Sequence, residues 1–160
     1  MTTKYSKLHQ RKIRLEKDFR EFCYKHGLLE SWQSIGWLYA LSTERMKDVA
    51  AKIGFTSVCP LKRGRQIGFK FYDYENTDHR LIFLPIIGGY QAEHLAHNMA
   101  YKAEKNANNI MRESGQSSLF GFQMRSGGTE IYGVNWRQAI GILSMARNQI
   151  TKERFQKKPA

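Results

Sequence analysis

Apolar residues recur at helical spacing along the first 25 residues of the chain. The apolar positions are Tyr5, Leu8, Leu15, Phe19 and Phe22, and Lys12 interrupts them. The opposite face is basic and carries Lys7, Arg11, Arg14, Lys17 and Lys25. Gly27 stands where such a helix would end. The pattern predicts a helix over residues 4–25, which either packs on its own domain or pairs with a second copy in a homodimer.

Two shorter helices are predicted next. Residues 31–41 are apolar and rich in aromatics, which indicates a core helix. Ser42 can cap a further helix whose stripe is Met46, Val49, Ala50 and Ile53, ending at Gly54. Residues 46–58 also resemble the first helix and turn of a helix-turn-helix motif. Because proline is tolerated only in the first turn of a helix, Pro60 allows a second helix only if it begins near Cys59.

After residue 57 the hydrophobic period changes from that of a helix to that of a strand. Residues 66–74 alternate, residues 75–78 have turn chemistry, and residues 80–87 return as a second strand. A long helix is expected from about Tyr90 to Glu113, with an alanine-rich buried stripe. The order of three strands and a helix over 57–108 resembles the layout of AP2-type and integrase-arm DNA-binding domains. That resemblance implies a sheet that enters the major groove, but no motif residues match closely enough to carry over.

The hairpin and helix then occur a second time. Residues 118–125 and 130–134 are predicted strands around a Ser-Gly-Gly turn, and Asn135 can cap a last helix. We therefore expect an α+β fold, with a helical N-terminal third followed by two β-hairpins, each followed by a helix. The expected divisions are a helical region at 1–55, an α+β domain at 56–150 and a flexible basic tail at 151–160. The repeated order resembles an internal duplication, although the two halves share little sequence.

The formal net charge of +12 decides which partners the sequence favours. Lys and Arg number 26 against 14 Asp and Glu, and they collect in the N-terminal arm, at residues 62–65 and in the C-terminal tail. Such an excess predicts a surface for a polyanion, of which nucleic acid is the commonest. The polar N-terminus and the lack of a long apolar stretch predict a cytoplasmic protein with no membrane segment. Two cysteines without ligand spacing are expected to be reduced.

The strongest local signal is the run of cations at residues 62–65, which leads into the predicted strand at 66–74. A two-stranded ribbon fits the major groove, where arginine can make a bidentate contact to guanine. The expected base-facing residues are Arg63, Arg65, Lys70, Tyr72 and Arg80. Phosphate contacts are expected from Lys7, Arg11, Arg14, Lys62, Arg125 and the lysines of the tail.

No catalytic motif competes with this interpretation. His94 and His97 are three residues apart and Glu93 precedes them, which is not the spacing of a catalytic zinc helix. Asp73 and Glu75 are the only close carboxylate pair of the predicted β region, and they leave a metal-dependent nuclease as an open alternative. We expect a protein that is not an enzyme and that has no cofactor or metal.

The sequence thus predicts a sequence-preferring protein that binds double-stranded DNA. Its small size and basic charge suit a transcriptional regulator, or a DNA-processing accessory factor of a plasmid or phage. One alternative is an RNA-binding protein or RNA chaperone that stacks Phe and Tyr on single strands. Another is a protein-interaction or inhibitor module whose basic face meets an acidic partner.

Overall fold

The structure is a computed structural model that describes residues 4–28, 35–67, 79–87, 90–105 and 131–157. Within these ranges the elements follow in the order α1 (Lys4–Lys25), β1 (Gly36–Thr43), β2 (Ala51–Thr56), α2 (Pro60–Gln66), β3 (His79–Ile86), α3 (Tyr90–Lys105), β4 (Ile131–Tyr132) and α4 (Trp136–Lys157). The strands form one antiparallel sheet, and the helices pack against it. The predicted α+β class is therefore confirmed.

The strand order of the sheet is β3-β1-β2-β4. β1 lies between β2 and β3, and Trp37 is opposite both Thr56 and Pro85. β4 adds a short pairing in which Lys52 is opposite Ile131. Residues on both sides of the expected division at 55/56 thus belong to one sheet.

Helices cover both faces of this sheet, so its central strand is buried on both sides. Successive side chains of a strand point to opposite faces. Trp37, Tyr39 and Leu41 pack in the cluster that includes residues of α1 and α2. Leu38 and Ala40 pack in the cluster that includes α3 and α4. The result is a three-layer arrangement with a hydrophobic core on each side of the sheet.

The helix predicted at residues 31–41 is wrong from residue 36 onward, where β1 begins. A strand that is buried on both faces has no polar side, and its continuous apolar run cannot be told from a buried helix by periodicity. Every residue from Trp37 to Thr43 is buried. That full burial is why this segment showed no alternation of apolar and polar residues.

The helix predicted at residues 42–54 is also wrong. Residues 44–49 form a turn, in which the backbone N–H of Met46 donates to Thr43 Oγ1 at 3.2 Å, and β2 begins at Ala51. Val49, which was assigned to the buried stripe, is 46% exposed. Since this helix does not exist, the helix-turn-helix interpretation and the helical N-terminal third fail with it.

Residues 62–65 were expected in a loop before a strand, but they lie in the short helix α2. Pro60 is in the first turn, where its missing N–H leaves no helical hydrogen bond unmade, and Cys59 precedes it in an extended conformation. The helix does begin next to Cys59, the only start that Pro60 permits. A helix here also removes the strand with which the AP2-like layout would begin.

The remaining described elements follow the prediction closely. α1 has the predicted bounds and ends at Lys25. Gly27 follows in the left-handed region with a φ of 63°, and the N–H of Leu28 donates to the carbonyl of Cys23 at 2.8 Å. β3 and α3 lie where a strand and an alanine-striped helix were predicted. Asn135 caps α4, since its Oδ1 accepts from the N–H of Gln138 at 2.8 Å. α4 continues through Lys157 into the segment that was expected to be a flexible tail. The strand predicted at 118–125 and most of the strand predicted at 66–74 lie outside the described residues.

Candidate nucleic-acid interface

α1 crosses β1 and β3. Its apolar stripe and the side chains of two basic residues lie against the sheet. Phe19 is 4% exposed and lies in the core cluster, and Leu8 and Leu15 pack against that cluster. The guanidinium carbon of Arg11 lies 5.9 Å from the centre of the Phe83 ring on β3. The Lys12 ammonium lies 5.7 Å from the centre of the Trp37 ring on β1. Arg11 is therefore on the β3 side of the helix.

A surface groove of about 380 Å³ runs along this side of α1. It is lined by Lys7, Gln10, Arg11, Arg14 and Leu15. Lys7, Arg11 and Arg14 are exposed, and their spacing of four and three residues places them on one helix face. Among the described residues none of these three cations has an ion-pair partner. The groove therefore brings together three positive charges that form no ion pair within the described ranges.

On the other side of α1, one carboxylate is shared by two cations. Lys12 Nζ lies 2.7 Å from Glu16 Oε2, and Arg20 Nη2 lies 3.7 Å from Glu16 Oε1. Glu16 thus engages both cations. The ion-paired cations Lys12 and Arg20 thus lie on this side of α1 and the groove cations lie on the other, a division that the sequence alone does not show.

α2 contributes the predicted cations at residues 62–65. Pro60, Leu61 and Gly64 face the core, which leaves Lys62 and Arg65 exposed and Arg63 half-buried. α2 contacts both α1 and β1. The two basic helices consequently lie on the same face of the sheet.

Arg80 was expected to face bases, but its charge is engaged elsewhere. Its Nε donates to Glu44 Oε1 at 2.7 Å, and Lys47 Nζ lies 3.2 Å from Glu44 Oε2. These hydrogen bonds from Arg80 and Lys47 lower the pKa of the Glu44 carboxyl below its ordinary range. By strand alternation Arg80 shares the α3 and α4 side of β3 with Ile82 and Leu84. The structure does not bring it together with α1 and α2. Lys70, Tyr72 and Arg125 lie outside the described residues.

A buried lysine that the sequence pattern did not predict lies on the α1 and α2 face of the sheet. Lys52 is fully buried, and its Nζ lies 5.4 Å from the centre of the Tyr39 ring. The adjacent Gly54 makes room for that tyrosine, since a Cβ there would lie 2.7 Å from the Tyr39 hydroxyl. Lysine is almost never fully buried without a specific contact. Its only signal in the sequence is a cation between Ala51 and Ile53 in an apolar segment.

Glu93 and His97, which were considered as metal ligands, connect α3 to β2. The backbone N–H of Phe55 donates to Glu93 Oε2 at 3.1 Å, and His97 Nε2 lies 2.9 Å from the carbonyl oxygen of Ile53. A carbonyl only accepts, so this nitrogen carries the proton. Within the described ranges there is no group of three residues placed to hold a metal ion.

Comparison with protein-family models, curated proteins and solved structures found no match to this chain. Over the described part of the chain, none of the helices has the length and apolar character needed to cross a membrane.

Proposed function

We propose that this protein binds double-stranded DNA, and that the groove of α1 formed by Lys7, Arg11 and Arg14 holds the phosphate backbone. The observation that carries the proposal is the presence of three exposed cations in one groove without ion pairs among the described residues. Lys62 and Arg65 on α2 supply further contacts from the same face of the sheet.

Counterion release gives these cations their affinity for DNA. DNA carries a condensed layer of cations, and each phosphate that a protein cation neutralises releases one of them. Cations that already have carboxylate partners gain less, because the carboxylate has to be displaced. The groove cations, for which the described part of the chain offers no ion pair, are therefore better suited to phosphate binding than Lys12 or Arg20, which share Glu16.

The biological role that we propose is non-enzymatic. A small basic protein of this kind acts in transcriptional control, or as an accessory factor in the DNA processing of a plasmid or phage. The high net charge supports rapid, electrostatically steered association with DNA. Preference among sequences is assigned to Arg63 and Arg65 of α2. The ribbon that the sequence predicts lies for the most part outside the described residues.

A competition experiment tests this function against its alternatives. Fluorescence anisotropy of a labelled duplex is measured at about 150 mM salt, with unlabelled duplex DNA and single-stranded RNA of the same sequence as competitors. Duplex DNA is expected to compete better. Stronger competition by RNA would assign the protein to RNA binding, and no binding even in low salt would favour a basic module for an acidic protein.

The same incubations test the absence of catalysis. The labelled duplex is incubated with the protein, with and without Mg²⁺, and its strands are separated on a denaturing gel. Intact strands are expected. Strand cleavage that co-purifies with the protein would show that it is an enzyme, contrary to this proposal.

A further inference from the structure

The groove of α1 continues into a second cleft with different chemistry. This cleft, of about 230 Å³, is lined by Leu15, Asp18, Phe19, Phe22, Pro85 and Arg147. Leu15 lines both spaces, so the cleft adjoins the groove formed by Lys7, Arg11 and Arg14. It lies where α1 and α4 meet beside β3.

Arg147 is the unusual residue of this cleft. It is half-buried, and its guanidinium carbon lies 5.1 Å from the centre of the Phe19 ring. Burial lowers the pKa of the Arg147 guanidinium, although arginine remains protonated in proteins. In the described part of the chain its guanidinium has no ion-pair partner. A partly desolvated cation with no ion-pair partner in the described residues favours a ligand that brings acceptor atoms.

Aromatic and apolar surface stands beside that cation. Phe22 is 38% exposed, and it packs against Phe19 at 6.4 Å and against His26 at 4.7 Å between ring centres. Pro85 completes the cleft from β3. Flat apolar surfaces of this kind are used in nucleic-acid-binding proteins to stack bases.

Asp18 distinguishes between the possible parts of a nucleic acid. Its carboxylate lines the same cleft, and it would repel a phosphate. A base is neutral and presents both acceptors and donors, so it can accept hydrogen bonds from Arg147 and donate to Asp18. Guanine has acceptors at O6 and N7 and donors on its other edge, which makes it the best match.

From this combination we infer that the cleft receives one unpaired base, preferentially guanine, of a DNA whose backbone lies along the α1 groove. The inference rests on the proposed DNA binding. The groove contacts phosphates of the duplex, while Phe22 stacks on the unpaired base and Arg147 and Asp18 bind its edges. The protein therefore binds duplex DNA containing an unpaired guanine more tightly than fully paired DNA.

The test compares three duplexes that differ only at a central position. One is fully paired, one has an extra unpaired guanine, and one has an extra abasic residue in the same place. Anisotropy titrations of the native protein are expected to give about tenfold tighter binding to the guanine bulge than to either other duplex. The abasic duplex controls for the flexibility that any bulge introduces.

Two variants with matched controls locate the site. Phe22→Ala and Arg147→Gln should remove the preference for the guanine bulge and leave affinity for paired DNA within about twofold. Tyr24→Ala, which changes another exposed aromatic of α1, and Arg137→Gln, which changes an exposed arginine of α4, should keep the preference.

The outcomes separate this inference from the function on which it rests. Equal binding of the three duplexes by the native protein overturns the base cleft and leaves DNA binding in place. A preference that survives in both Phe22→Ala and Arg147→Gln also overturns it, because the base is then held elsewhere. Failure to bind any of the duplexes overturns the proposed function itself.

Discussion

The salt dependence of DNA binding offers the sharpest test of the α1 groove. We consider the triple variant Lys7→Gln, Arg11→Gln, Arg14→Gln. The three residues are exposed, so the variant should keep its fold, with stability changed by about 0.5 kcal/mol or less at each site. Glutamine also retains much of the Arg11 stem that lies over Phe83. The perturbation thus removes charge and little packing.

The expected magnitude follows from the number of cations in the groove. The slope of log affinity against log salt changes by about 0.9 for each phosphate contact with B-DNA. If each of the three groove cations contacts one phosphate, the variant should have a slope that is shallower by about 2.7. Between about 50 and 200 mM salt, the ratio of native to variant affinity should then fall roughly 40-fold.

The assay is a series of anisotropy titrations on one duplex at several salt concentrations. A control variant with the same loss of charge is Lys17→Gln, Lys102→Gln, Arg137→Gln, whose residues are exposed but lie outside the groove. We expect the control variant to change the slope by less than about 0.9, which is the contribution of one phosphate contact. If both triple variants reduce the slope equally, binding follows overall charge and the groove has no special role.

Three further results are expected. Glu93→Ala leaves the N–H of Phe55 without its acceptor and should lower the free energy of unfolding in urea by about 1–3 kcal/mol. Glu93→Gln keeps an acceptor and should lower it less. Equal losses in the two variants would contradict this role of Glu93. Arg65→Ala should relax the preference among sequences selected from a random duplex library and should weaken binding to the preferred site by about 1–3 kcal/mol. Unchanged selectivity would show that α2 does not contact bases. The hydrogen bond from Arg80 lowers the pKa of Glu44 in the folded protein. The stability that Glu44 contributes is therefore complete above its unfolded-state pKa, about 4.3. This stability is lost as the pH falls through the lower folded-state pKa. Acid titration of unfolding should show a smaller loss in Glu44→Gln than in the native protein, and identical curves would mean that the ion pair adds no pH-dependent stability.

The helices α1 and α4 could be predicted from sequence because each has a local signal for its ends. Gly27 provides the left-handed residue after α1, and Asn135 provides the cap before α4. Each also has an apolar stripe on one side. These features depend on neighbours within a few residues, which is the range over which sequence patterns are informative.

β1 and β2 could not be predicted, because their environment is created by distant parts of the chain. Helices cover both sides of β1, so its residues lost the alternation that identifies strands. In β2 the buried Lys52 and the glycine beside Tyr39 weakened the pattern further. Apolar spacing that fits a helix was then the stronger local signal.

The candidate site was predicted in part for a similar reason. Charge clustering identified Lys7, Arg11 and Arg14, which do share a groove. It could not show that Glu44 engages Arg80, since these residues are 36 positions apart in the chain. Arg147 was missed because its partners in the cleft belong to α1 and β3. Which cations are unpaired is a property of the tertiary structure.

Glu93 and His97, the two α3 side chains that bind β2, also occupy backbone groups with which another copy of the chain could pair. Strand edges with open backbone groups are the usual starting points for aggregation. β4 pairs with Ala51 and Lys52, and beyond them His97 and Glu93 occupy the Ile53 carbonyl and the Phe55 N–H. An incoming strand would have to displace both side chains, which opposes intermolecular pairing with residues 53–55 of β2, a part of this strand that β4 leaves uncovered among the described residues.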